Sequence, residues 1–511
     1  MSHIEDNKRL AKNTIALYIR TSVVLIVQLF ITRLVLQALG ADDFGLYNVV
    51  GSVVVLFSFL NQAMSSASQR FITFELGKRN AEKTKRVFSV SMTIQIIMAV
   101  VMFVVVEGLG LWMLNFKLNI PTERMVAANW AFQFSMISFC INTIKIPYDA
   151  SVIAYERLTF FAYASIFDVF AKLSIAIILL DSSVDRLIQY TALLTIETLI
   201  MFVIYRAYCK KKFKTCSFSI NKDKSLYKQI FSFTGWSIFG SASNMITHQG
   251  FIFLINIYFG VLVNAALGIA NQVSAAVASF VNSFQTSYRP QIIKSYAQGD
   301  LSHTNRLISV TSKMSFSLMI IPTLILIFNM SLFLETWLTD VPLYTVNFCQ
   351  IILICTIIDA FTSPYNIAIT ATGKIKDYQL WISLSFLLDL IISYILIKVG
   401  LIPYLVLISR IATRGLLNMF IGLYYIKNRI RFNIRNYIKD CLIPILLSSI
   451  IIIIPSLICY NKLGGWKLLI VSSMIILSLG SISLYFIAFN KDERIYLANF
   501  AKFVFKLNQQ K

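Results

Sequence analysis

The chain has 511 residues, of which 57% are hydrophobic and 14% are charged, and its mean hydropathy is +0.72. A globular fold cannot hide this much apolar side chain from water, so soluble folds are excluded and a polytopic membrane protein is expected. The net charge of +22 would suit a nucleic-acid-binding protein, but the positions of the basic residues provide a different explanation.

Apolar runs of about 20 residues alternate with polar loops along the whole chain, a length typical of membrane-spanning helices and twice that of barrel strands. We therefore predict an all-α polytopic membrane protein with about 14 transmembrane helices. The first helix is expected to remain in the protein, because no signal-peptide cleavage site follows it. The predicted spans are residues 13–37, 45–67, 87–114, 126–153, 159–180, 187–208, 229–259, 264–287, 307–334, 345–371, 379–397, 403–426, 440–460 and 466–489.

The loops between these spans divide the chain into five predicted segments. These are an N-terminal six-helix lobe (1–208), a basic cytoplasmic linker (209–228), a C-terminal six-helix lobe (229–426), a basic loop with two extra transmembrane helices (427–489), and a cytoplasmic tail (490–511). The tail alternates basic and aromatic residues, a pattern typical of an amphipathic segment on the membrane surface.

Basic residues concentrate in alternate loops. If those loops are cytoplasmic, 33 of the 46 Lys and Arg lie inside, six lie outside and seven lie within spans. This asymmetry follows the positive-inside rule, which places both termini in the cytoplasm and makes anionic lipid headgroups the expected surface partner. Nucleic-acid binding is not needed to explain the charge.

One short motif occurs twice, as KIPYDASVIAYER (145–157) and TSPYNIAITATGK (362–374). In both copies a Pro-Tyr pair is followed by Ala seven residues after the Pro and by a cation ten residues after it. Six predicted spans separate the copies, so both enter the membrane from the same side, which predicts a parallel repeat of two six-helix halves around a central cavity. Pro147 and Pro364 interrupt helical hydrogen bonding and are predicted hinge or gate positions.

Seven basic residues lie within predicted spans: Arg20, Arg33, Lys145, Lys172, Lys313, Arg410 and Arg414. Each would cost about 2.5–3.5 kcal/mol if it faced lipid, so several must face water, an acid or an anion. Arg20, Arg33 and Lys313 lie close enough to a span end to extend towards the headgroups. Lys172 and Arg414 lie near the middle of their spans, where that alternative is hardest.

Local carboxylates offer a structural explanation for two of these cations. Asp168 precedes Lys172 by one helical turn, and Asp149 follows Lys145 by one turn. Either acid could simply neutralise its neighbour. On the twelfth span, Arg410 and Arg414 instead form one polar stripe with Asn418, spaced i, i+4, i+8.

A cationic cavity selects an anion, and the planar guanidinium of Arg pairs with two phosphate oxygens at once, so a phosphate-bearing substrate is predicted. His248 is the only histidine within a predicted span, where it could bind substrate, switch with pH or pack as a hydrogen-bonding residue. The candidate anion-binding residues are Lys145, Lys172, Arg410, Arg414, Arg20, Arg33 and His248.

Four acids lie deep in spans and are candidate proton or sodium sites: Glu197, Asp168, Asp359 and Asp389. Glu197 aligns with Arg414 in the internal repeat, so the two could form an ion pair across the cavity, or each could be satisfied within its own half. No phosphate-binding GxxxxGK[ST] motif occurs, so direct use of ATP is not expected. The seven cysteines contain no CxxC pair, and neither disulfides, a metal site nor a cofactor is predicted.

The segment LGADDFGLYNVVGSVVVLFSFLNQAMSSASQRF (39–71), with the two Pro-Tyr motifs and the 6+6+2 arrangement of spans, resembles polysaccharide flippases of the multidrug/oligosaccharidyl-lipid/polysaccharide (MOP) exporter superfamily. The resemblance is greatest to Wzx-type O-antigen flippases. It implies two MATE- or MurJ-like lobes around a cationic cavity, in the bacterial inner membrane.

The resemblance also implies a function. An undecaprenyl-diphosphate-linked oligosaccharide, such as the repeat unit of O-antigen or another surface polysaccharide, would cross to the outer leaflet by alternating access coupled to H⁺ or Na⁺. The diphosphate would lie against Lys145, Lys172, Arg410 or Arg414, and other membrane proteins of polysaccharide assembly are expected partners.

Three other functions are open at this point. A multidrug cation antiporter of the same superfamily would need early carboxylates, whereas the first two spans carry Arg20 and Arg33. A membrane polymerase or acyltransferase of glycan assembly would need an outer catalytic loop, and the predicted outer loops are short. A lipid II flippase is a close variant that the sequence does not separate from the leading prediction.

Overall fold

The computed structural model describes residues 2–494 except residues 56, 117–119, 183, 220, 222, 339, 463 and 492. Every regular element in this part of the chain is a helix, and it contains no strand. The prediction of an all-α protein is confirmed. Most of the predicted amphipathic tail, residues 495–511, lies outside the described residues, so its surface location stays a prediction.

The chain forms two compact units, each of which has its own hydrophobic core. The first unit is Ile15–Ala242, and the second combines residues 1–14 with the chain from Ser243 onward. The α-helices are α1 Ser2–Val55, α2 Ser58–Gly77, α3 Ala81–Phe116, α4 Met125–Ala154, α5 Leu158–Ile178, α6 Arg186–Lys212, α7 Lys224–Ala297, α8 Leu301–Phe328, α9 Met330–Trp337, α10 Thr345–Ala371, α11 Lys376–Lys398, α12 Pro403–Arg410, α13 Leu417–Ile430, α14 Ile434–Tyr437, α15 Ile443–Lys462 and α16 Gly465–Ser483.

Eleven helical segments among the described residues are long and apolar enough to cross a membrane. The predicted total of 14 is not confirmed. The predicted spans 229–259 and 264–287 form one continuous helical tract, α7, and the predicted spans 45–67 and 126–153 are not among the eleven. The last of these corresponds to α4, which packs against α2, α3 and α6; a helix surrounded by other helices can carry more polar residues than one facing lipid.

Glycines in left-handed conformation bend the two longest helices. Gly40 in α1 has φ of 76° and Gly260 in α7 has φ of 83°, values that a residue with a Cβ rarely adopts. An added Cβ would meet no atom within 4 Å at either position, so backbone conformation rather than packing calls for glycine. Pro147 and Pro364, the predicted hinge positions, are both buried inside helices, α4 and α10.

An ionic clasp joins three helix ends in the first unit. The Arg124 guanidinium donates to both carboxylate oxygens of Asp43, at 2.8 and 2.5 Å, and to Asp185 Oδ2 at 2.6 Å. Asp185 is also the N-cap of α6, since its Oδ1 accepts from the backbone N–H groups of Leu187 and Ile188 at 3.1 and 3.2 Å. One arginine therefore ties the bent end of α1 to the starts of α4 and α6.

Candidate functional site

The charged side chains within the helices form two clusters, one in each unit. The first-unit cluster lies between α1, α4, α5 and α6. The second-unit cluster lines a cavity between α7, α10 and the helical tract that begins with α12. The two clusters differ in how far their charges are already paired.

Lys172 in the first unit is held by its neighbour on α5. Its Nζ lies 2.9 Å from each carboxylate oxygen of Asp168. Of the two explanations that the sequence left open, neutralisation by the adjacent acid is therefore present in the structure. Such a pair lowers the cost of placing either charge in a membrane.

Glu197 on α6 completes a carboxyl pair with Asp168. The two carboxyl groups lie close enough to interact, and Glu197 is only 5% exposed. Its Oε1 atom is buried without a hydrogen-bond partner among the described residues.

Two further cations belong to this cluster. Lys145 Nζ lies 3.9 Å from Asp149 Oδ2 on α4 and 5.2 Å from the centre of the Tyr205 ring. Arg20 on α1 lies over Phe161, with 5.4 Å from Cζ to the ring centre. Both are near enough to Asp168 to interact with it electrostatically.

The first-unit cluster thus gathers three cations and three acids, with ion pairs between Lys145 and Asp149 and between Lys172 and Asp168. Arg33, a further predicted anion-binding residue, is an exposed residue on α1.

The second-unit cavity has a volume of about 430 Å³ and gathers four residues that the sequence predicted for function. His248 comes from α7, where Asn271 also lines the cavity, and Asp359 comes from α10. Arg410 and Arg414 come from the tract that begins with α12. These residues lie in three separate predicted spans, and in the structure all four line the same cavity.

Arg410 is compensated within the protein. Its Nε lies 3.2 Å from Asp389 Oδ2, and the other oxygen of Asp389 accepts from Thr413 Oγ1 at 2.7 Å. Asp389 is 0% exposed, and the Arg410 guanidinium lies 4.5 Å from the centre of the Phe251 ring. A buried pair with these extra partners holds its geometry firmly, because breaking it would leave an unpaired charge.

Arg414 has no such acid. It donates to Asn244 Oδ1 on α7 and lies over Phe386, 4.9 Å from Cζ to the ring centre. Among the described residues no carboxylate lies within ion-pairing distance of it. Arg414 is therefore the cavity cation most able to receive an external anion.

A π-helical turn, Ile411–Leu416, carries Arg414. Such wide turns are rare and occur frequently at functional sites. The predicted stripe of Arg410, Arg414 and Asn418 assumed regular α-helical spacing. The two arginines do line the same cavity, but Asn418 hydrogen-bonds Ser385 on α11 instead.

Asp359 is the second uncompensated charge in the cavity. Its side chain is exposed to the cavity, and in the described part of the chain its carboxylate has neither an ion-pair nor a hydrogen-bond partner. It is close enough to Arg414 and Arg410 for electrostatic interaction. An anion binding to Arg414 would therefore also meet the field of this carboxylate.

An apolar groove of about 690 Å³ lies along a neighbouring face of α10. It is bounded by α8, α10, α12 and α15, and Ile351 lines both the groove and the cavity. Most of the residues that line the groove are Ile and Leu. The cavity with Arg414 and the apolar groove thus share α10 as a wall.

Two features of these sites were not predicted by the sequence analysis. Asn244 hydrogen-bonds Arg414 and Asn271 lines the cavity, but an isolated Asn in a span carries no signal that assigns it a partner. Lys313, expected to extend to the headgroups, is instead 1% exposed and paired with Glu493. Glu197 and Arg414 both have partners within their own units, and an ion pair between them stays a prediction.

No protein-family model and no curated protein sequence matches the chain. Several solved structures are similar to it in fold. A MATE protein in a bent conformation superposes with a TM-score of 0.70 at 12% identity, covering 83% of this chain and 97% of its own. An outward-facing multidrug resistance MATE family transporter of the MOP superfamily gives 0.69 at 12% identity, covering 83% and 96%.

A MOP superfamily transporter from Pyrococcus furiosus, for which a binding pocket of reverse polarity suggests a different function, gives 0.68 at 12% identity and the same coverage, 83% and 96%. Similarity at this level of identity concerns the fold. The chain therefore has the fold of the MATE transporters.

Proposed function

We propose that the protein is a flippase that moves an undecaprenyl-diphosphate-linked oligosaccharide across the bacterial inner membrane by alternating access. The observation that carries this proposal is that the cavity with Arg414, which has no ion-pair partner among the described residues, and the apolar groove share α10 as a wall. A substrate with an anionic head and an apolar tail matches both surfaces at once.

Arg414 is the proposed diphosphate ligand. Its guanidinium presents a planar fork that pairs with two phosphate oxygens, and its only polar partner in the described residues is the neutral amide of Asn244. Arg410, fixed by Asp389, adds positive potential without moving. Lys145, Lys172 and Arg20 have acids nearby in the first unit and contribute less to anion binding in this conformation.

The groove is the proposed seat for part of the polyprenyl tail. Its walls are mostly Ile and Leu, and burial of apolar surface contributes about 25 cal/mol per Å². A chain of that length would extend beyond the groove into lipid. In this proposal α15, one of the two extra C-terminal helices, provides a wall for the lipid rather than for the sugars.

Two acidic groups are proposed to couple transport to H⁺ or Na⁺. A phosphate at Arg414 would be repelled by ionised Asp359, so neutralisation of Asp359 by a proton or cation would favour substrate binding. The neighbouring carboxyl groups of Asp168 and Glu197 are a second proposed site for an exchangeable proton. An inside-negative potential would assist outward movement of two uncompensated negative charges by about 4.6 kcal/mol per 100 mV, at 2.3 per charge.

Two parallel six-helix repeats are the proposed framework. Gly40 and Gly260 bend long helices at positions 220 residues apart, close to the 217 that separate Pro147 from Pro364. In alternating access these four residues are the proposed hinge points, since glycines and prolines mark the breaks in helical hydrogen bonding.

Deletion of the gene tests the substrate assignment. Mass spectrometry of the membrane lipids should show accumulation of a diphosphate-linked oligosaccharide lipid, and re-expression of the wild type should remove it. The Arg414→Ala variant should not remove it, whereas Lys427→Ala, which changes an exposed lysine at the end of α13, should. Absence of any accumulated diphosphate lipid would refute the proposal.

Multidrug cation transport is a second candidate, favoured by Asp359, a carboxylate without a partner in the described residues, and by the MATE fold. Cation export would depend on Asp359 and would not need Arg414. Loss of drug resistance in Asp359→Asn together with full resistance in Arg414→Ala would support this candidate over the flippase.

A further inference from the structure

A second polar pocket lies in the second unit, at the N-terminal end of α8, on the side that the charge pattern predicts to be cytoplasmic. Its volume is about 370 Å³, and its walls come from α8, from residues 432–440 and from the segment that follows α16. It shares no lining residue with the Arg414 cavity. Transport as proposed above makes no use of it.

A buried ammonium group forms the base of this pocket. Lys313 is 1% exposed, and its Nζ donates to both oxygens of the Glu493 carboxylate, at 3.1 and 2.9 Å. The backbone N–H of Asn490 donates to the same carboxylate at 2.8 Å. Three short contacts from an ammonium and a backbone N–H are the contacts that receive an oxyanion.

The charge of the pocket depends on whether Glu493 occupies it. Arg306 and Lys313 are balanced by Asp440 and Glu493 while the Glu493 carboxylate is in place. If that carboxylate leaves, the pocket keeps two cations and one acid, with a buried lysine that needs a new anion. Another oxyanion is therefore the natural replacement.

Some hydrogen-bonding capacity remains unused while Glu493 is bound. Asn305 lines the pocket, and its Oδ1 atom is buried without a hydrogen-bond partner among the described residues, although most buried polar atoms have one. This oxygen accepts hydrogen bonds and therefore needs a donor, such as a hydroxyl or an amine. A phosphate ester of a polyol or an amino alcohol carries both the oxyanion and such a donor.

We propose that this pocket binds the phosphate group of such an ester, with Glu493 as an internal competitor for Lys313. Phosphate binding would displace the Glu493 carboxylate from Lys313 and from the Asn490 N–H. The chemistry is shared by a phospholipid headgroup and by free phosphate, and the experiment below separates the two sources.

Binding is measured on the purified full-length protein in detergent, with inorganic phosphate and dihexanoyl phosphatidylglycerol as separate probes, by calorimetry and by the ligand-induced shift of Tm. At least one probe should bind the wild type, and Glu493→Gln should bind it about tenfold more tightly, because the competing carboxylate is gone. Saturation by phosphate alone indicates the free ion, and saturation by the lipid alone indicates a headgroup. Lys313→Met should abolish binding, and Lys313→Arg should retain it.

Lys439→Met is the matched control, because Lys439 is an exposed lysine beside Asp440 that does not line the pocket. It should bind like the wild type. The proposal is wrong if neither probe binds the wild type or Glu493→Gln, if Glu493→Gln binds no more tightly, or if Lys439→Met loses as much affinity as Lys313→Met. The Glu493→Gln comparison decides the matter even if Lys313→Met fails to fold.

Discussion

Removal of the ionic clasp should measurably destabilise the first unit. Arg124 makes close contacts with Asp43 and Asp185, and all three side chains are between 20% and 32% exposed. Arg124→Met keeps most of the side chain's length but removes every one of these hydrogen bonds. Two carboxylates would then remain close together without the cation between them.

The size of the effect follows from the geometry. Hydrogen bonds to charged groups contribute about 1.5–3 kcal/mol each when well formed, and exposed ion pairs contribute about 1 kcal/mol or less. The clasp is partly exposed and bidentate towards Asp43, so we expect a loss of about 2–3 kcal/mol in the free energy of unfolding.

A double-mutant cycle isolates the contact. Thermal unfolding in detergent is measured for Arg124→Met, Asp43→Asn and the double variant, and the coupling energy between Arg124 and Asp43 should be about 1–2 kcal/mol. Arg186→Met is a control: among the described residues this arginine donates to the backbone carbonyls of Ala38 and Leu180 and to no carboxylate. Strictly additive effects of the two clasp substitutions would refute the reasoning.

Three more outcomes follow from the structure. Burial alone would raise the pKa of Asp185, but hydrogen bonds from Arg124 and from the α6 backbone outweigh burial and lower that pKa. The ionised Asp185 therefore stabilises the fold fully above about pH 4, the pKa in the unfolded chain, and this stabilisation is lost as the pH falls through the folded pKa. Between pH 6 and pH 3, Tm should fall less in Asp185→Asn than in the wild type. Gly110→Ala should lower stability by about 1–3 kcal/mol, because its Cβ would lie 2.3 Å from the buried Phe132 ring, whereas Gly108→Ala, with no atom within 4 Å, should not, as thermal unfolding will show. Glu197→Gln should weaken the dependence of transport on a pH or Na⁺ gradient in inverted vesicles while substrate binding persists, and an unchanged gradient dependence would rule out a coupling role.

Most of the helical architecture could be predicted from hydropathy, because lipid-facing helices must be apolar over about 20 residues. Helix α4 matches the predicted span 126–153 closely, although it is more polar than the eleven helical segments that are apolar enough to cross a membrane. It lies among α2, α3 and α6, a position that tolerates polar residues. The bends at Gly40 and Gly260 depend on backbone torsion, which the presence of a glycine permits but does not dictate.

The sequence predicted which residues belong to the candidate sites, but it did not predict most of the contacts between them. The contacts between Lys172 and Asp168 follow from helical spacing and could be read from the sequence. Arg410 and Asp389 are 21 residues apart, and Lys313 and Glu493 are 180 apart, so only the fold reveals these pairs. The π-helical turn that contains Arg414 changes the backbone hydrogen-bond pattern, and the amino-acid composition of the segment does not predict this change.

The central claim is that Arg414 receives the diphosphate of a lipid-linked oligosaccharide during transport. The direct measurement is the transfer of that lipid between leaflets of proteoliposomes containing wild type, Arg414→Ala, Arg414→Lys or Lys427→Ala. The wild type and Lys427→Ala should transport equally, Arg414→Lys should retain part of the activity, and Arg414→Ala should lose at least tenfold while reconstituting normally. Transport by Arg414→Ala at the wild-type rate, or no transport by the wild type, would contradict the account.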